Sequence, residues 1–327
     1  MSFNLPLFLP LTIKRLSALF LLAMMLTKVS ASVFWTAREQ GDGKIKVLHD
    51  GFMVEDIVTG LQEPLGIAVD NVNEKVYWSD VNFESNQSTL QRANFDGSNT
   101  ETIISIENTI IYSIAIDSAQ NKIYWTDILA NEIMRVNLDG GNTEFVTPTH
   151  GTAYGITLDA ASKKLYWATH EQGEIWSADL NGDNQQRLGI TGRGARSVSL
   201  HSNATKLYIS NNTTNEILEL DLSTRNMFVL FSNISGLGMI AYDANRDKLV
   251  GLDELTQNLF ETELTELNIV ERYQGTPNRK HSSDKQMGPY TVTRVNDNGT
   301  QRLTKVTANG GAVSQTWNIR NVDPCKD

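Results

Sequence analysis

Few side chains in this sequence have the types and spacing that catalysis or metal binding requires. His170 and Glu171 begin the stretch His170-Glu171-Gln172-Gly173-Glu174, which lacks the second histidine of a zinc-binding helix. Gly192-Arg193-Gly194 precedes a predicted strand instead of following one, so it does not fit a dinucleotide-binding loop. The chain has no Gly-x-Ser-x-Gly nucleophile motif. The sequence therefore predicts no catalytic residue, no bound metal and no cofactor.

A second group of polar and aromatic side chains suits binding better than catalysis. Tyr112, Tyr154 and Arg196 occupy equivalent positions when the chain is aligned on itself, and Arg193 is close to them in sequence. Tyrosine and arginine are enriched among the residues that dominate binding energy at protein interfaces. We interpret these four residues as part of a ligand-binding face. The other candidates for that face are Phe83, His170, Glu171 and Glu63.

The alignment rests on a four-residue motif that recurs along the chain. Tyr77-Trp78-Ser79-Asp80 lies 47 residues before Tyr124-Trp125-Thr126-Asp127, and Tyr166-Trp167-Ala168-Thr169 comes 42 residues after it. Weaker copies begin at Phe34, Tyr208 and Val250. A steady period of about 40 to 50 residues is typical of propellers and repeat arrays.

Each repeat is predicted to form four short antiparallel strands. In the second repeat these are residues 66–70, residues 75–79, residues 89–95 and a strand that begins at Thr102. Asp96-Gly97 predicts a hairpin turn, because glycine readily takes a positive φ. One such sheet buries little surface, but six sheets around an axis cover each other's faces. The sequence therefore predicts an all-β, six-bladed β-propeller with four-stranded antiparallel blades.

The motif itself is predicted to be structural. Neighbouring residues of a strand point to opposite faces of the sheet, so Tyr124 would fill the gap on one side of its blade and Trp125 the gap on the other. Asp127 is expected to accept hydrogen bonds from backbone amides in turns. The equivalent residues of the neighbouring repeats are Tyr77, Trp78, Asp80, Tyr166 and Trp167.

The repeat resembles the YWTD repeat of the low-density lipoprotein receptor class, which is also found in nidogen. The similarity covers residues 33–272 and includes the aromatic motif, the Asp-Gly turn and an Ile-x-Arg strand at Ile133 to Arg135. It implies a six-bladed propeller that binds protein ligands and is not catalytic. The cysteine-rich modules that usually accompany this propeller would need more cysteines than the single Cys325.

Three segments are expected along the chain. Residues 1–31 form a signal peptide, residues 32–273 form the blades, and residues 274–327 form a C-terminal segment. The first repeat, at Phe34, is preceded only by the signal peptide, so the inner strand of its blade must come from elsewhere. We predict that residues 290–295 close the ring as this strand, and that an extra β-hairpin follows them.

The N-terminal residues have the pattern of a secretory signal. Lys14 and Arg15 precede an apolar run over residues 16–26, and Val29-Ser30-Ala31 offers small residues for cleavage. The run is shorter than the roughly 20 residues of a membrane-spanning helix. We expect cleavage after Ala31, with an uncleaved anchor as the alternative. The protein would then be secreted and extracellular, or periplasmic in a Gram-negative bacterium, with no stable membrane span.

The charge of the chain bears on its partners. The formal net charge is −10, and removal of residues 1–31, which carry three cations and no acid, changes it to −13. Binding to nucleic acid requires clustered lysine and arginine, so no nucleic-acid partner is expected. We expect a monomer whose partner is a protein of unknown identity.

Several functional interpretations remain open. The loops that precede the inner strands and those that follow the aromatic motif share one face, where a secreted, receptor-like or matrix-like propeller would bind its protein ligand. In a structural interpretation, Tyr112 and Tyr154 plug the channel and the arginines pair with nearby carboxylates. A calcium-dependent propeller hydrolase or lactonase is a further alternative, although Glu63 alone offers an acid near the channel. A glycan-binding matrix role is the third.

Overall fold

The protein is an all-β ring of six sheets. The computed structural model describes residues 32–39, 41–49, 53–254, 258–264, 268–273, 291–297, 300–304 and 316–319. Within these ranges the chain forms strands and no helix, which confirms the predicted six-bladed antiparallel propeller, and four of the six sheets have four strands. The same ranges contain no helix long and apolar enough to cross a membrane. The predicted signal peptide, residues 1–31, lies outside them.

The sheets follow each other along the chain, and each is built from consecutive antiparallel strands. The first three sheets contain β1 (Val33–Glu39), β2 (Asp42–His49), β3 (Met53–Leu61); β4 (Pro64–Asp70), β5 (Lys75–Asn82), β6 (Gln87–Asn94), β7 (Glu101–Glu107); and β8 (Ile111–Asp117), β9 (Lys122–Asp127), β10 (Glu132–Asn137), β11 (Glu144–Pro148).

The next three sheets complete the ring. They contain β12 (Ala153–Asp159), β13 (Lys164–Thr169), β14 (Glu174–Asp179), β15 (Gln186–Ile190); β16 (Ala195–Leu200), β17 (Lys206–Asn211), β18 (Glu216–Asp221), β19 (Met227–Phe231); and β20 (Leu237–Asp243), β21 (Lys248–Asp253), β22 (Asn258–Glu263), β23 (Asn268–Tyr273), β24 (Thr291–Asp297), β25 (Thr300–Thr304), β26 (Thr316–Ile319). The innermost strands β4, β8, β12, β16 and β20 pack against each other around a central channel.

The aromatic motif fills the seams, which are the interfaces between neighbouring blades. Tyr124 packs in one cluster with Trp167 of the fourth blade, whereas Trp125 packs with Tyr77 of the second blade. All four rings are at most 1 % exposed. The predicted placement of Tyr124 and Trp125 on opposite faces of their sheet is confirmed, because adjacent side chains of a strand alternate.

Arginines of the third strand add polar contacts across two seams. The Nη1 atom of Arg135 donates to the carbonyl oxygen of Leu180 in the next blade at 3.1 Å, and its Nε atom donates to Glu144 of its own blade at 2.7 Å. Arg92 repeats this arrangement one blade earlier, with 3.0 Å from Nη1 to the carbonyl oxygen of Leu138. The Ile-x-Arg strand therefore joins each of these blades to the backbone of its successor.

The hairpin turns also touch the preceding blade. Gly97 and Gly140 have φ angles of +80° and +87°, as the Asp-Gly sequences predict. A Cβ atom on Gly140 would lie 2.5 Å from the carbonyl oxygen of Ile103 in the preceding blade. These positions require glycine both for the backbone conformation and for the close approach.

The C-terminal strands differ from the sequence prediction for ring closure. The prediction pairs residues 290–295 with the first sheet, but β24 pairs with β23 at the outer edge of the sixth sheet. β25 and β26 continue outward from β24. The first sheet contains only β1, β2 and β3 within the described residues. The physical reason is that the outer edge of an antiparallel sheet offers unpaired N–H and C=O groups that a following strand can satisfy.

Side-chain packing joins the sixth blade to the first in this structure. Trp35, Ala37 and Leu48 of the first blade form one buried cluster with Val250 and Leu259 of the sixth. We call this interface the closing seam. The hydroxyl of Thr36 donates to the carbonyl oxygen of Leu65 in the second blade at 3.0 Å, which ties the first sheet to its other neighbour.

The sixth repeat lacks the motif tryptophan, and another ring replaces it. Gly251 stands at the tryptophan position of this repeat. A Cβ atom on Gly251 would lie 2.1 Å from the ring of Phe260, which is on the adjacent strand. Phe260 packs with Tyr208 of the fifth blade. The seam is therefore filled from β22 instead of β21.

Candidate binding face at the channel mouth

A β-bulge in each inner strand directs one side chain out of the regular pattern. Ile111 pairs with Asp127 and Ser113 pairs with Thr126, which leaves Tyr112 without an opposing residue. Tyr154 of β12 and Arg196 of β16 are the extra residues of equivalent bulges. Bulges re-aim side chains and are common at barrel rims and beside functional sites. Three consecutive blades thus place these side chains at the same end of the channel.

The third residue of the motif holds the bulge in place. The hydroxyl of Thr126 accepts a hydrogen bond from the backbone N–H of Ser113 at 3.2 Å, in a buried position. Ser79 and Ser210 accept equivalent bonds in the second and fifth blades. Because the bulge removes that N–H from the regular ladder, the hydroxyl satisfies a donor that would otherwise be unpaired. The fourth blade has Ala168 at this position.

The fourth residue of the motif organises the adjacent loops. Asp127 Oδ1 accepts from the backbone N–H groups of Ile110, Leu129 and Ala130 at 2.9 to 3.3 Å. Asp80 Oδ1 accepts from the N–H groups that precede β4 at 2.8 and 2.9 Å. These carboxylates hold the loops before β4 and β8, and Asp127 also holds the loop after β9, as expected for turn-capping acids.

The bulged residues form a compact cluster. The rings of Tyr112 and Tyr154 are stacked with centroids 4.3 Å apart, and the Cζ atom of Arg196 lies 5.6 Å from both centroids. Glu254 Oε1 accepts from Nε and Nη2 of Arg196 at 2.8 and 2.6 Å. Burial raises the pKa of Tyr112, so its hydroxyl stays protonated at neutral pH. The Arg196 guanidinium beside the two tyrosine rings forms favourable cation–π contacts.

His170 extends the cluster towards the rim of the same face. Its ring centroid is 4.8 Å from that of Tyr154, and its two nitrogens lie 3.2 Å from Glu171 Oε1 and Asn212 Oδ1. Arg193 Nη2 is 2.9 Å from Glu171 Oε2. The hydrogen bond with His170, together with Arg193, lowers the pKa of Glu171. We call Tyr112, Tyr154, His170, Arg196 and Glu254 the mouth cluster.

Two other sequence candidates lie in the second blade. Phe83 is 52 % exposed in the turn after β5, on the face of the mouth cluster. The side chain of Glu63 forms an ion pair with Arg38 of β1. Burial raises the pKa of Glu63. The ion pair with Arg38 directs the Glu63 carboxylate to the first blade.

Glu254 is the member of the cluster that sequence reasoning missed. It follows Asp253, the last motif residue of the most degenerate repeat. The equivalent residues are His170 and Asn212, and each of the three donates its backbone N–H to the loop before the inner strand. Gly238 makes room for Glu254, because a Cβ atom there would lie 2.5 Å from its Cγ atom. Aligning the residue after the motif in every repeat would have found it.

The channel beneath the cluster has little capacity to bind a metal ion. It encloses about 250 Å³ and is lined by aliphatic residues, glycine and the hydroxyls of Ser113, Thr157, Ser197 and Ser199. None of the described lining residues carries a carboxylate or an imidazole. Calcium prefers several carboxylate and carbonyl oxygens. Across the described ranges, no group of three or more His, Cys, Asp or Glu side chains could hold a metal.

Comparisons with known proteins identify a protein of similar fold. No protein-family model matches the chain, and no curated protein sequence matches it. A chain from a crystal structure of a nidogen/laminin complex is similar in structure, with a TM-score of 0.65 and 20 % sequence identity. The similarity covers 75 % of this chain and 94 % of that chain. At this level of identity the likeness establishes a shared propeller fold.

Proposed function

We propose that this protein is a secreted, non-enzymatic YWTD-type propeller that binds a protein ligand through the mouth cluster and its rim. One observation carries the proposal: three consecutive blades use a bulge to bring Tyr112, Tyr154 and Arg196 together. Regular alternation along the strands would not produce this cluster.

The chemistry of the cluster suits a protein interface. Tyrosine and arginine supply large contact areas with polar tips, and they are frequent among the residues whose truncation costs most binding energy. The stacking of Tyr112 on Tyr154 orders both rings before a ligand arrives. Side chains that are already ordered lose less entropy on binding.

The internal ion pairs are compatible with this role. Arg196 and Glu254 form a contact in which the side chains are 17 % and 36 % exposed, so this ion pair is partly shielded from solvent and holds the Arg196 guanidinium in place. At the rim, Arg193 and Glu171 are 66 % and 49 % exposed. Exposed ion pairs contribute only about 0 to 1 kcal/mol. A ligand can therefore exchange the rim pair for its own contacts at small cost.

The structural neighbour supports the class of ligand. The similar chain comes from a complex of two proteins, nidogen and laminin. The aromatic motif of this chain also resembles the YWTD repeat, whose propellers bind protein ligands. A protein partner is the ligand class that agrees with the fold, the motif and the composition of the mouth cluster.

Secretion is supported by the sequence pattern at the N-terminus. Lys14, Arg15 and the apolar run over residues 16–26 have the order of a signal peptide. Expression of the full chain in a secreting host should release a protein that begins at Ser32, as N-terminal sequencing would show. Retention of residues 1–31 in the membrane fraction would contradict this part of the proposal.

The binding face is tested with selected peptides. A phage-displayed random peptide library is selected on immobilised residues 32–327, and the peptides are then measured by biolayer interferometry on variants. Tyr112→Ala and Phe83→Ala should each weaken binding at least tenfold, because they remove an aromatic anchor from the proposed face.

Phe228→Ala is the matched control. Phe228 is 55 % exposed on β19, at the outer rim, and Phe83 is 52 % exposed, so the two substitutions remove equal side chains of similar exposure. Binding to Phe228→Ala should stay within twofold of wild type. Equal binding to wild type, Tyr112→Ala and Phe83→Ala would reject the mouth cluster as the binding face. Thermal unfolding curves confirm that each variant is folded.

A further inference from the structure

A second surface lies at the opposite end of the propeller, at the seam between the second and third blades. It is a groove of about 620 Å³. The start of β5 at Lys75 and the turn before β9 at Asn121 form its walls. Ligand sites commonly enclose roughly 300 to 1,000 Å³. The groove is thus large enough for a small ligand and is separate from the mouth cluster.

The cations of the groove are fixed by contacts with protein groups. Arg92 donates from Nε to Glu101 at 2.8 Å and from Nη1 to the carbonyl oxygen of Leu138 at 3.0 Å. Lys75 Nζ donates to Asn94 Oδ1 at 2.5 Å. Tyr77, which also lines the groove, bonds the same guanidinium. A guanidinium has five N–H donors, so Arg92 keeps further donors after these three bonds. The positive charges of Arg92 and Lys75 are therefore held in place, and Glu101 partly neutralises that of Arg92.

Uncharged amides form the rest of the polar lining. Asn73 and Gln120 each donate an amide hydrogen to an aspartate at the end of an inner strand, at 2.7 and 2.9 Å, which directs the amide group. Asn121 and Asn137 make no side-chain hydrogen bond to any described residue. Each carboxamide offers two donors and an acceptor. The groove therefore presents oriented donors and acceptors side by side.

The next seam shows that these amides are not required by the fold. Lys163 and Asp179 of the fourth blade occupy the positions that Asn121 and Asn137 occupy in the third. Asp179 there accepts from Lys164 and from Asn184, both at 2.5 Å. The same backbone thus carries charged residues at one seam and unpaired amides at the other.

We propose that this groove binds a neutral oligosaccharide. Sugar hydroxyls act as donors and acceptors at once, which matches closely spaced carboxamides and a fixed guanidinium. An anionic ligand would compete with Glu101 for Arg92 and would face Asp139 in the lining. A peptide that binds by strand addition would need an open strand edge, but β5, β6 and β10 are paired on both sides.

The test introduces at this groove the residues that stand at the equivalent positions of the fourth blade. The double variant Asn121→Lys, Asn137→Asp copies the residues that the fourth blade already accepts, so the fold should be kept. Wild-type residues 32–327 are screened on an array of neutral and sulfated oligosaccharides, and the strongest neutral ligand is measured by isothermal titration calorimetry. The double variant should bind that sugar at least tenfold more weakly. Gln120→Ser, which copies Ser162, should weaken it by a smaller factor.

Other outcomes would overturn the proposal. Absence of binding to any neutral oligosaccharide, preference for sulfated ones, or equal affinity of the double variant would each do so. Phe83→Ala should keep full sugar affinity, and the double variant should keep the binding of those selected peptides that Tyr112→Ala weakens. These two controls separate failure of the groove from failure of the mouth cluster.

Discussion

The seam between the third and fourth blades and the closing seam use the same strand positions with different residues. At the first seam Tyr124 meets Trp167, and Arg135 adds a hydrogen bond to the next blade. At the closing seam Val250 stands at the tyrosine position and meets Trp35. An aliphatic side chain thus replaces the tyrosine at the interface where the sixth blade meets the first.

The arginine position changes in the same way. In the third blade Arg135 lies opposite Tyr124 on the neighbouring strand. In the sixth blade the residue opposite Val250 is Glu261. Glu261 pairs with Arg246 of its own blade. The closing seam has therefore lost both the tyrosine ring and the cross-seam arginine. We expect local opening of the ring to begin there.

Alkaline pH should produce the largest effect and should act on the aromatic seams. Burial raises the pKa of Tyr77, Tyr124, Tyr166 and Tyr208, whereas the closing seam has Val250. A folded-state pKa above the unfolded value of about 10 gives stability that is complete below pH 10 and is lost as pH rises further. Tyrosinate absorbance should therefore rise together with loss of the fold.

Urea unfolding between pH 8 and pH 12 measures this loss. Tyr124→Phe removes one ionisable ring and should reduce the fall of unfolding free energy with pH. Ionisation of all tyrosines in a protein that keeps its far-ultraviolet circular dichroism spectrum would contradict the assignment.

Trp125→Ala should destabilise the fold more than Val250→Ala, Thr126→Ala or Arg135→Gln. Trp125 is 1 % exposed and fills the seam between the second and third blades. Removing a buried tryptophan typically costs about 3 to 5 kcal/mol through lost burial and the remaining cavity. The free energy of unfolding from urea titration tests this value, and a loss below about 1 kcal/mol would show that the seam collapses around the cavity.

Val250→Ala tests the closing seam. Val250 is 6 % exposed, and the substitution removes two methyl-sized groups, worth about 0.8 kcal/mol each, together with a small cavity term. We expect a loss of about 2 kcal/mol in urea titration, smaller than for Trp125→Ala. Faster hydrogen exchange should appear first in β1 and β21. Uniform acceleration in all blades would argue against opening at this seam.

Thr126→Ala tests the link between the motif and the mouth cluster. The substitution leaves the buried N–H of Ser113 without its acceptor, at a cost of about 1 to 3 kcal/mol. The fold should be kept, because the fourth blade has Ala168 at this position. Binding of the selected peptides that Tyr112→Ala weakens should also weaken in Thr126→Ala, since Tyr112 lies in the same bulge. Thr36→Ala, which removes a bond to Leu65, should leave peptide binding unchanged.

Arg135→Gln should have the smallest effect. Its bond to Leu180 crosses the seam, and its pair with Glu144 is partly exposed, so we expect a loss of about 1 kcal/mol. Arg187→Gln is the control, because Arg187 pairs with Glu174 inside one blade. An equal loss in both variants would show that the cross-seam bond adds nothing beyond a surface ion pair.

Much of the scaffold was predictable from local sequence. The spacing of Tyr77, Tyr124 and Tyr166 fixes the repeat, and adjacent aromatic residues on a strand must face opposite seams. The position of Tyr112, Tyr154 and Arg196 at one mouth followed from the same alignment. Their mutual contacts did not, because the register shift that frees each residue is a property of strand pairing.

Degenerate repeats set the limit of that prediction. Glu254 follows a copy of the motif with no aromatic residue, and Phe260 fills the seam from a strand that the motif does not contain. Both depend on space left by glycine, at Gly238 and Gly251. The identity of the missing residue does not predict which neighbouring side chain enters such a space.

The number of blades, their strand order and the seam that each motif ring fills are all encoded locally, because period and alternation are properties of short stretches of chain. How the sixth blade meets the first depends on the folded ring, since β24 pairs with β23 and the closing seam is made by side chains distant in sequence. The mouth cluster depends on it too, because Arg196 and Glu254 are 58 residues apart and meet only in the ring.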